Sequence, residues 1–83
     1  MDDFWTPELR EWLQPGRKVR IFYGDGNINN WLLYIRAVVD DDWIVSRYWN
    51  KSRQNWMYRV DSVYWFLLHQ QGGHLKFGGK EQQ

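Results

Sequence analysis

Residues 43–60, WIVSRYWNKSRQNWMYRV, decide the fold. Trp43, Ile44, Val45, Tyr48 and Trp49 are strong strand formers, and so are Trp56, Tyr58 and Val60. Between them Asn50-Lys51-Ser52-Arg53 is polar and of turn type. The pattern predicts a β-hairpin that turns at Lys51-Ser52 or through Asn50 to Arg53. In that register Trp49 faces Gln54, Arg47 faces Trp56, Val45 faces Tyr58 and Trp43 faces Val60. Side chains alternate along a strand, so these pairs share one face. Ile44, Ser46 and Tyr48 take the other, with Asn55, Met57 and Arg59. The first face is heavier and more aromatic, and it is expected to be the core side. Arg47 would then be a structural cation–π partner of Trp56 rather than a ligand contact.

Outward from the hairpin, Asp40-Asp41-Asp42 reads as the tight turn that enters it. Clustered carboxylates also suit a hard cation, but a metal site gathers ligands from several elements, and the turn is the preferred reading. Upstream, residues 31–39 form the longest strand, with Trp31, Leu33, Ile35, Ala37 and Val39 on one face and Leu32, Tyr34, Arg36 and Val38 on the other. Residues 24–30, GDGNINN, form a loop tolerant of positive φ without phosphate-loop spacing. Residues 17–23 form a strand with Val19, Ile21 and Tyr23 opposed to Lys18, Arg20 and Phe22. Thr6-Pro7-Glu8 starts a short helix whose stripe is Trp5, Leu9, Trp12 and Leu13, and Pro15-Gly16 ends it. Downstream, Asp61 is a candidate N-cap for a helix over residues 62–71 closed by Gly72-Gly73. The β-rich run Val63-Tyr64-Trp65-Phe66 keeps a fifth strand over 62–68 open as the alternative. Residues 74–77 return as a short strand, and residues 78–83 are expected to be a disordered polar tail.

Eighty-three residues make one domain, placed over residues 1–77. Seven tryptophans supply much of a core that has no cysteine to staple it. No apolar run reaches the ~20 residues of a membrane span, and the acidic N-terminus lacks a secretory layout. A cytoplasmic protein is expected. The net charge of +1 hides an asymmetry. Residues 1–16 are acidic and residues 17–60 basic, and the segment from Arg47 to Arg59 has four basic side chains and no acid.

Catalysis is not expected. His69 and His74 are the only candidate bases near neutral pH, and neither sits in a nucleophile or metal pattern. No metal and no cofactor is called for. A binding surface is the sharper reading. Tyr48, Trp49, Lys51, Arg53 and Arg59 make a tip-and-outer-face candidate. Phe22, Tyr34 and Tyr48 make a surplus of aromatics on the second sheet face, of the composition favoured at protein interfaces. A protein partner or a second copy of the chain is favoured. The alternative is nucleic acid held by the Arg/Lys-aromatic hairpin 47–59, by stacking beside cations.

The segment RYWNKSRQNWMYRVDSVYWFLLHQQGGHL has an R-Y-W strand, a basic turn, a W-x-Y strand and an aromatic run ending in G-H-L. It resembles short accessory proteins of bacteriophage and prophage origin, and the strand order resembles SH3- and Tudor-like small barrels. No Tudor aromatic cage can be placed residue by residue. The resemblance implies a non-catalytic protein that binds a host or phage macromolecule. The fold class expected is α+β, an SH3-like small antiparallel β-barrel or meander of four to five strands with a short N-terminal helix and a C-terminal helix.

Overall fold

The computed structural model describes residues 3–23 and 29–80, without the side chains of residues 23, 29, 30, 79 and 80. The elements run α1 (Pro7–Trp12), β1 (Arg17–Tyr23), β2 (Asn29–Val39), β3 (Trp43–Asn50), β4 (Asn55–Ser62), α2 (Val63–Gln71) and β5 (Leu75–Lys80). The five strands form one sheet in the order β4-β3-β2-β1-β5, and every pairing is antiparallel. The expected α+β class, strand meander and two helices are present.

Each helix is fixed by local chemistry. In α1 the Thr6 hydroxyl accepts the Leu9 N–H at 3.1 Å and Pro7 opens the first turn. Trp5, just before the cap, donates its indole N–H to the Asp41 carbonyl at 2.8 Å, and Arg10 stacks on its ring and pairs with Asp41. In α2 the N-cap is Ser62, which accepts the Trp65 N–H at 3.2 Å; Asp61, expected there, is engaged with Arg59 instead. The C-terminus closes with His74 N–H to the His69 carbonyl at 2.8 Å and Gly73 N–H to that of Gln70 at 3.2 Å. That double bond pattern needs a left-handed residue between them, and Gly73 has φ +78°. These two caps decide helix over strand for 63–71.

Both helices lie on the same side of the sheet. Leu9 and Leu13 of the α1 region and Val63 and Phe66 of α2 bury against Val19, Ile21, Leu33, Ile35 and Ile44. Each of these nine core residues is at most 2% exposed. Ser46 is equally buried among them, and its hydroxyl has no hydrogen-bond partner among the described residues.

Three expectations are corrected. The barrel does not close: β5 pairs with β1 rather than β4, and β4 and β5 remain the two edges. The inner face that a closing sheet would wrap around is filled by Leu9 and Leu13 of the α1 region and Val63 and Phe66 of α2. Second, the hairpin face chosen as core is the solvent side. Ile44 and Ser46 are buried, whereas Trp43, Trp49, Trp56, Tyr58 and Val60 are exposed. Third, β5 runs to Lys80, so residues 78–80 are strand rather than tail. Residues 24–28 of the loop expected over 24–30, and the rest of the tail, 81–83, lie outside the described residues. Asn29 and Asn30 already belong to β2.

The hairpin register also differs by two residues. Its true pairs are Val45↔Val60, Arg47↔Tyr58 and Trp49↔Trp56, closing on Asn50↔Asn55. Asn50 Oδ1 accepts the Arg53 N–H at 3.0 Å, and Gln54 takes the left-handed conformation at φ 55°. The turn therefore occupies residues 51–54. At the opposite end Asp40 and Asp41 have φ 54° and 57°, and the Asp42 N–H bonds to the Val39 carbonyl at 3.1 Å. Two left-handed central residues make the tight hairpin turn that matches sheet twist, so the aspartates serve the turn. Among the described residues no helix is long and apolar enough to cross a membrane.

Candidate functional site

Strand alternation and register place one set of side chains on the sheet face away from the helices. They are Lys18, Arg20 and Phe22 of β1, Leu32 and Tyr34 of β2, Trp43, Val45, Arg47 and Trp49 of β3, Trp56, Tyr58 and Val60 of β4, and Lys76 of β5. A bulge in β2 at Arg36 shifts the phase, which brings Ala37 and Val39 to this face and turns Val38 to the core side. No element covers this outer face among the described residues. Val39, Trp43, Trp49, Trp56, Tyr58 and Val60 are each between 37% and 60% exposed. Contiguous apolar areas of this kind are uncommon on the surface of monomeric proteins.

The face is graded. Val39, Val45 and Val60 form an aliphatic corner near the aspartate turn, edged by Trp43. The centre is aromatic: Trp56 meets Trp49 at 5.4 Å and Tyr34 at 5.5 Å, both edge to face, and the Arg47 guanidinium stacks on Trp56 at 4.1 Å. The Arg47–Trp56 contact is therefore made as expected, across the diagonal of the pair rather than directly opposite. Lys18, Arg20 and Lys76 line the far side, on β1 and β5. Among the described residues no carboxylate stands on this face. Asp40, Asp41 and Asp42 are in the turn, Asp61 points to the helix side, and Asp3, Glu8 and Glu11 belong to the N-terminal layer.

At the end of the sheet near residues 51–54 the β2–β3 ladder stops at Tyr34↔Arg47. Beyond it the strands part, and a cleft of about 590 Å³ opens between Trp31, Leu32, Tyr34, Tyr48, Trp49, Lys51 and Ser52. Because Tyr34 and Arg47 end the ladder, alternation turns the backbone groups of Leu32 and Trp49 into this cleft. It therefore offers ring faces, one ammonium group and main-chain donors and acceptors.

Of the residues singled out from the sequence, Tyr34, Tyr48, Trp49 and Lys51 come together around the cleft. Arg53 lies exposed in the neighbouring turn. Phe22 lies at the β1 side of the outer face, near His74 at 6.2 Å. Tyr48 belongs to the helix side of the sheet, where its ring meets Trp31 at 5.0 Å. Arg59 leaves the set: it points to the helix side, bonds Asp61 at 2.7 and 2.8 Å, and lies between Trp31 and Trp65 at 4.9 and 4.8 Å. Its charge is spent on the fold.

The residues missed from the sequence are Trp43, Val39 and Val60, and the cations Lys18, Arg20 and Lys76. The phase of β1 carried the signal for two of them, since Lys18 and Arg20 alternate with the core residues Val19 and Ile21. No family model matches the sequence, and the comparisons with curated proteins and with solved structures gave no match.

Proposed function

We propose that the protein is a non-catalytic binding module whose uncovered sheet face, with the cleft at its end, contacts another protein. One observation carries this reading: six large apolar side chains, three of them tryptophans, stand in water on one side of the sheet. Two of the six are valines at the aliphatic corner, and burying them takes an apolar counterpart. The matching partner presents an apolar centre bordered by carboxylates, to meet Lys18, Arg20, Lys51 and Lys76. Both histidines serve packing, which supports a role without catalysis. His69 Nδ1 lies 2.8 Å from the Trp65 carbonyl and its ring 4.2 Å from that of Trp65, and His74 packs beside Phe22. The likeness to phage accessory proteins rests on sequence and suits a small adaptor acting in the host cytoplasm.

The cationic character of the same face, free of carboxylates among the described residues, favours a second reading, a single-stranded nucleic acid stacked on Trp49 and Trp56. One comparison separates them. Tryptophan fluorescence is titrated with single-stranded DNA and RNA at two salt concentrations. In parallel, partners from a cognate lysate are captured by the wild type, by Trp49→Ala and by Arg53→Glu. The protein reading expects no saturable quenching by nucleic acid, and one captured protein lost with Trp49→Ala but kept with Arg53→Glu. Quenching that fades steeply with salt and is abolished by Arg53→Glu overturns it in favour of nucleic acid. Capture insensitive to Trp49→Ala removes the face from both.

A further inference from the structure

The two edges of the sheet are treated differently. β5 is blunted: its pairing with β1 shifts register between Arg17 and Val19, it carries an exposed Lys76, and Gly78 sits so close under the Lys18 side chain that a Cβ there would meet it at 2.9 Å. A bulge and an exposed lysine are among the devices that discourage edge pairing. β4 has none of them. Its eight residues pair with β3 without a register shift, and it contains no proline, glycine or lysine. Its two charged side chains, Arg59 and Asp61, neutralise each other on the helix side.

The direction of its free backbone groups is fixed. The Val63 N–H bonds to the Asp42 carbonyl at 2.9 Å, which continues the β3–β4 register. In an antiparallel ladder the bonded residues alternate. Asp61, Arg59, Met57 and Asn55 therefore turn their N–H and C=O toward β3, and Trp56, Tyr58 and Val60 turn theirs outward. The side chains of these last three are exposed on the outer face.

We propose that β4 pairs antiparallel with β4 of a second copy about a twofold axis at Tyr58, joining two sheets into one. Opposed residues of an antiparallel pair must share a face, which restricts the register to steps of two. With the axis at Tyr58 the two Tyr58 side chains are opposed, Trp56 meets Val60 twice, Met57 meets Arg59, and Asn55 meets Asp61. Aromatic and β-branched cross-strand pairs are favourable. Moving the axis to Arg59 opposes two arginines, and moving it to Met57 shortens the overlap. The strand is thus self-complementary in one register, as a twofold contact requires. The result is a continuous outer face with both aromatic centres beside the joint.

Strand pairing by one edge lies at the small end of interfaces, below about 1,200 Å², so a dissociation constant on the order of tens of micromolar is expected. The test is sedimentation equilibrium of the full chain from low micromolar to near-millimolar concentration, on the wild type, Tyr58→Ala, Tyr58→Pro and Trp49→Ala. Tyr58 N–H points away from β3, so proline there removes no internal ladder bond. Circular dichroism and the melting temperature check that the fold is kept. A wild-type dimer whose dissociation constant rises at least about tenfold in Tyr58→Pro, and less in Tyr58→Ala, is the expected result. Should proline unfold the chain, Val60→Lys at the same edge replaces it with the same expectation. A monomer at every concentration overturns the pairing. So does a dimer indifferent to Tyr58→Pro, or one lost with Trp49→Ala, which would place the contact on the open face. Because the readout is mass rather than partner capture, failure here leaves the partner reading standing.

Discussion

Arg59 offers the sharpest test of the division between the fold and the proposed binding surface. Its guanidinium donates to both oxygens of Asp61, at 2.7 and 2.8 Å, and sits between the Trp31 and Trp65 rings. The two side chains are 26% and 10% exposed. Arg59→Met keeps most of the apolar stem and removes the charge. The ion pair, discounted for its partial exposure, contributes about 1–2 kcal/mol. The two cation–π contacts contribute about 0.5–1 kcal/mol each. A loss of about 2–4 kcal/mol is expected, a large part of the stability of a domain this size. Urea unfolding followed by tryptophan fluorescence measures it. A cycle with Asp61→Asn isolates the pair, with an expected coupling of about 1 kcal/mol or more. If Arg59→Met unfolds within about 0.5 kcal/mol of the wild type and shows no coupling, the guanidinium is solvated, and Arg59 returns to the candidate binding residues.

Ser46→Ala removes a buried hydroxyl that has no partner among the described residues. It should leave stability unchanged or raise it by about 1 kcal/mol, and a loss of that size in urea unfolding would reveal a bond to the hydroxyl. Asp40 has φ 54°. Thermal unfolding should therefore rank Asp40→Gly at or above the wild type and Asp40→Val below it by about 1–2 kcal/mol. An equal effect of the two would contradict a left-handed residue at that turn.

The hairpin at residues 43–60 was legible because β-formers flank a polar turn, and its inside and outside were not. Alternation defines two faces but does not say which one the helices cover. Here the lighter face, with Ile44 and Ser46, lets α1 and α2 approach the sheet closely, and the heavier one is left in water. Side-chain mass points the wrong way because the uncovered face carries the larger apolar side chains. The register slipped by two because the turn relies on Asn50 capping Arg53 and on a left-handed Gln54, neither of which is a glycine signal. The β2 bulge at Arg36 leaves no mark in composition, so simple alternation puts Ala37 and Val39 on the face of Ile35 when they lie on the other. The helices were legible through their caps, since Thr6-Pro7 and Gly72-Gly73 act locally. Tyr34, Tyr48, Trp49 and Lys51 were found by residue type, but the cleft joining them depends on where a ladder ends, a tertiary fact.

The sheet order carries a consequence for assembly. β1 through β4 meet their neighbours across short connections, but β1 and β5 join residues about 55 positions apart, such as Ile21 and Leu75. Distant closures come late, because the intervening chain must first be ordered. Until β5 has paired with it, β1 is an open edge. Lys18 and Arg20 stand on that temporary edge. There they discourage a stray strand from another nascent chain from taking the place of β5.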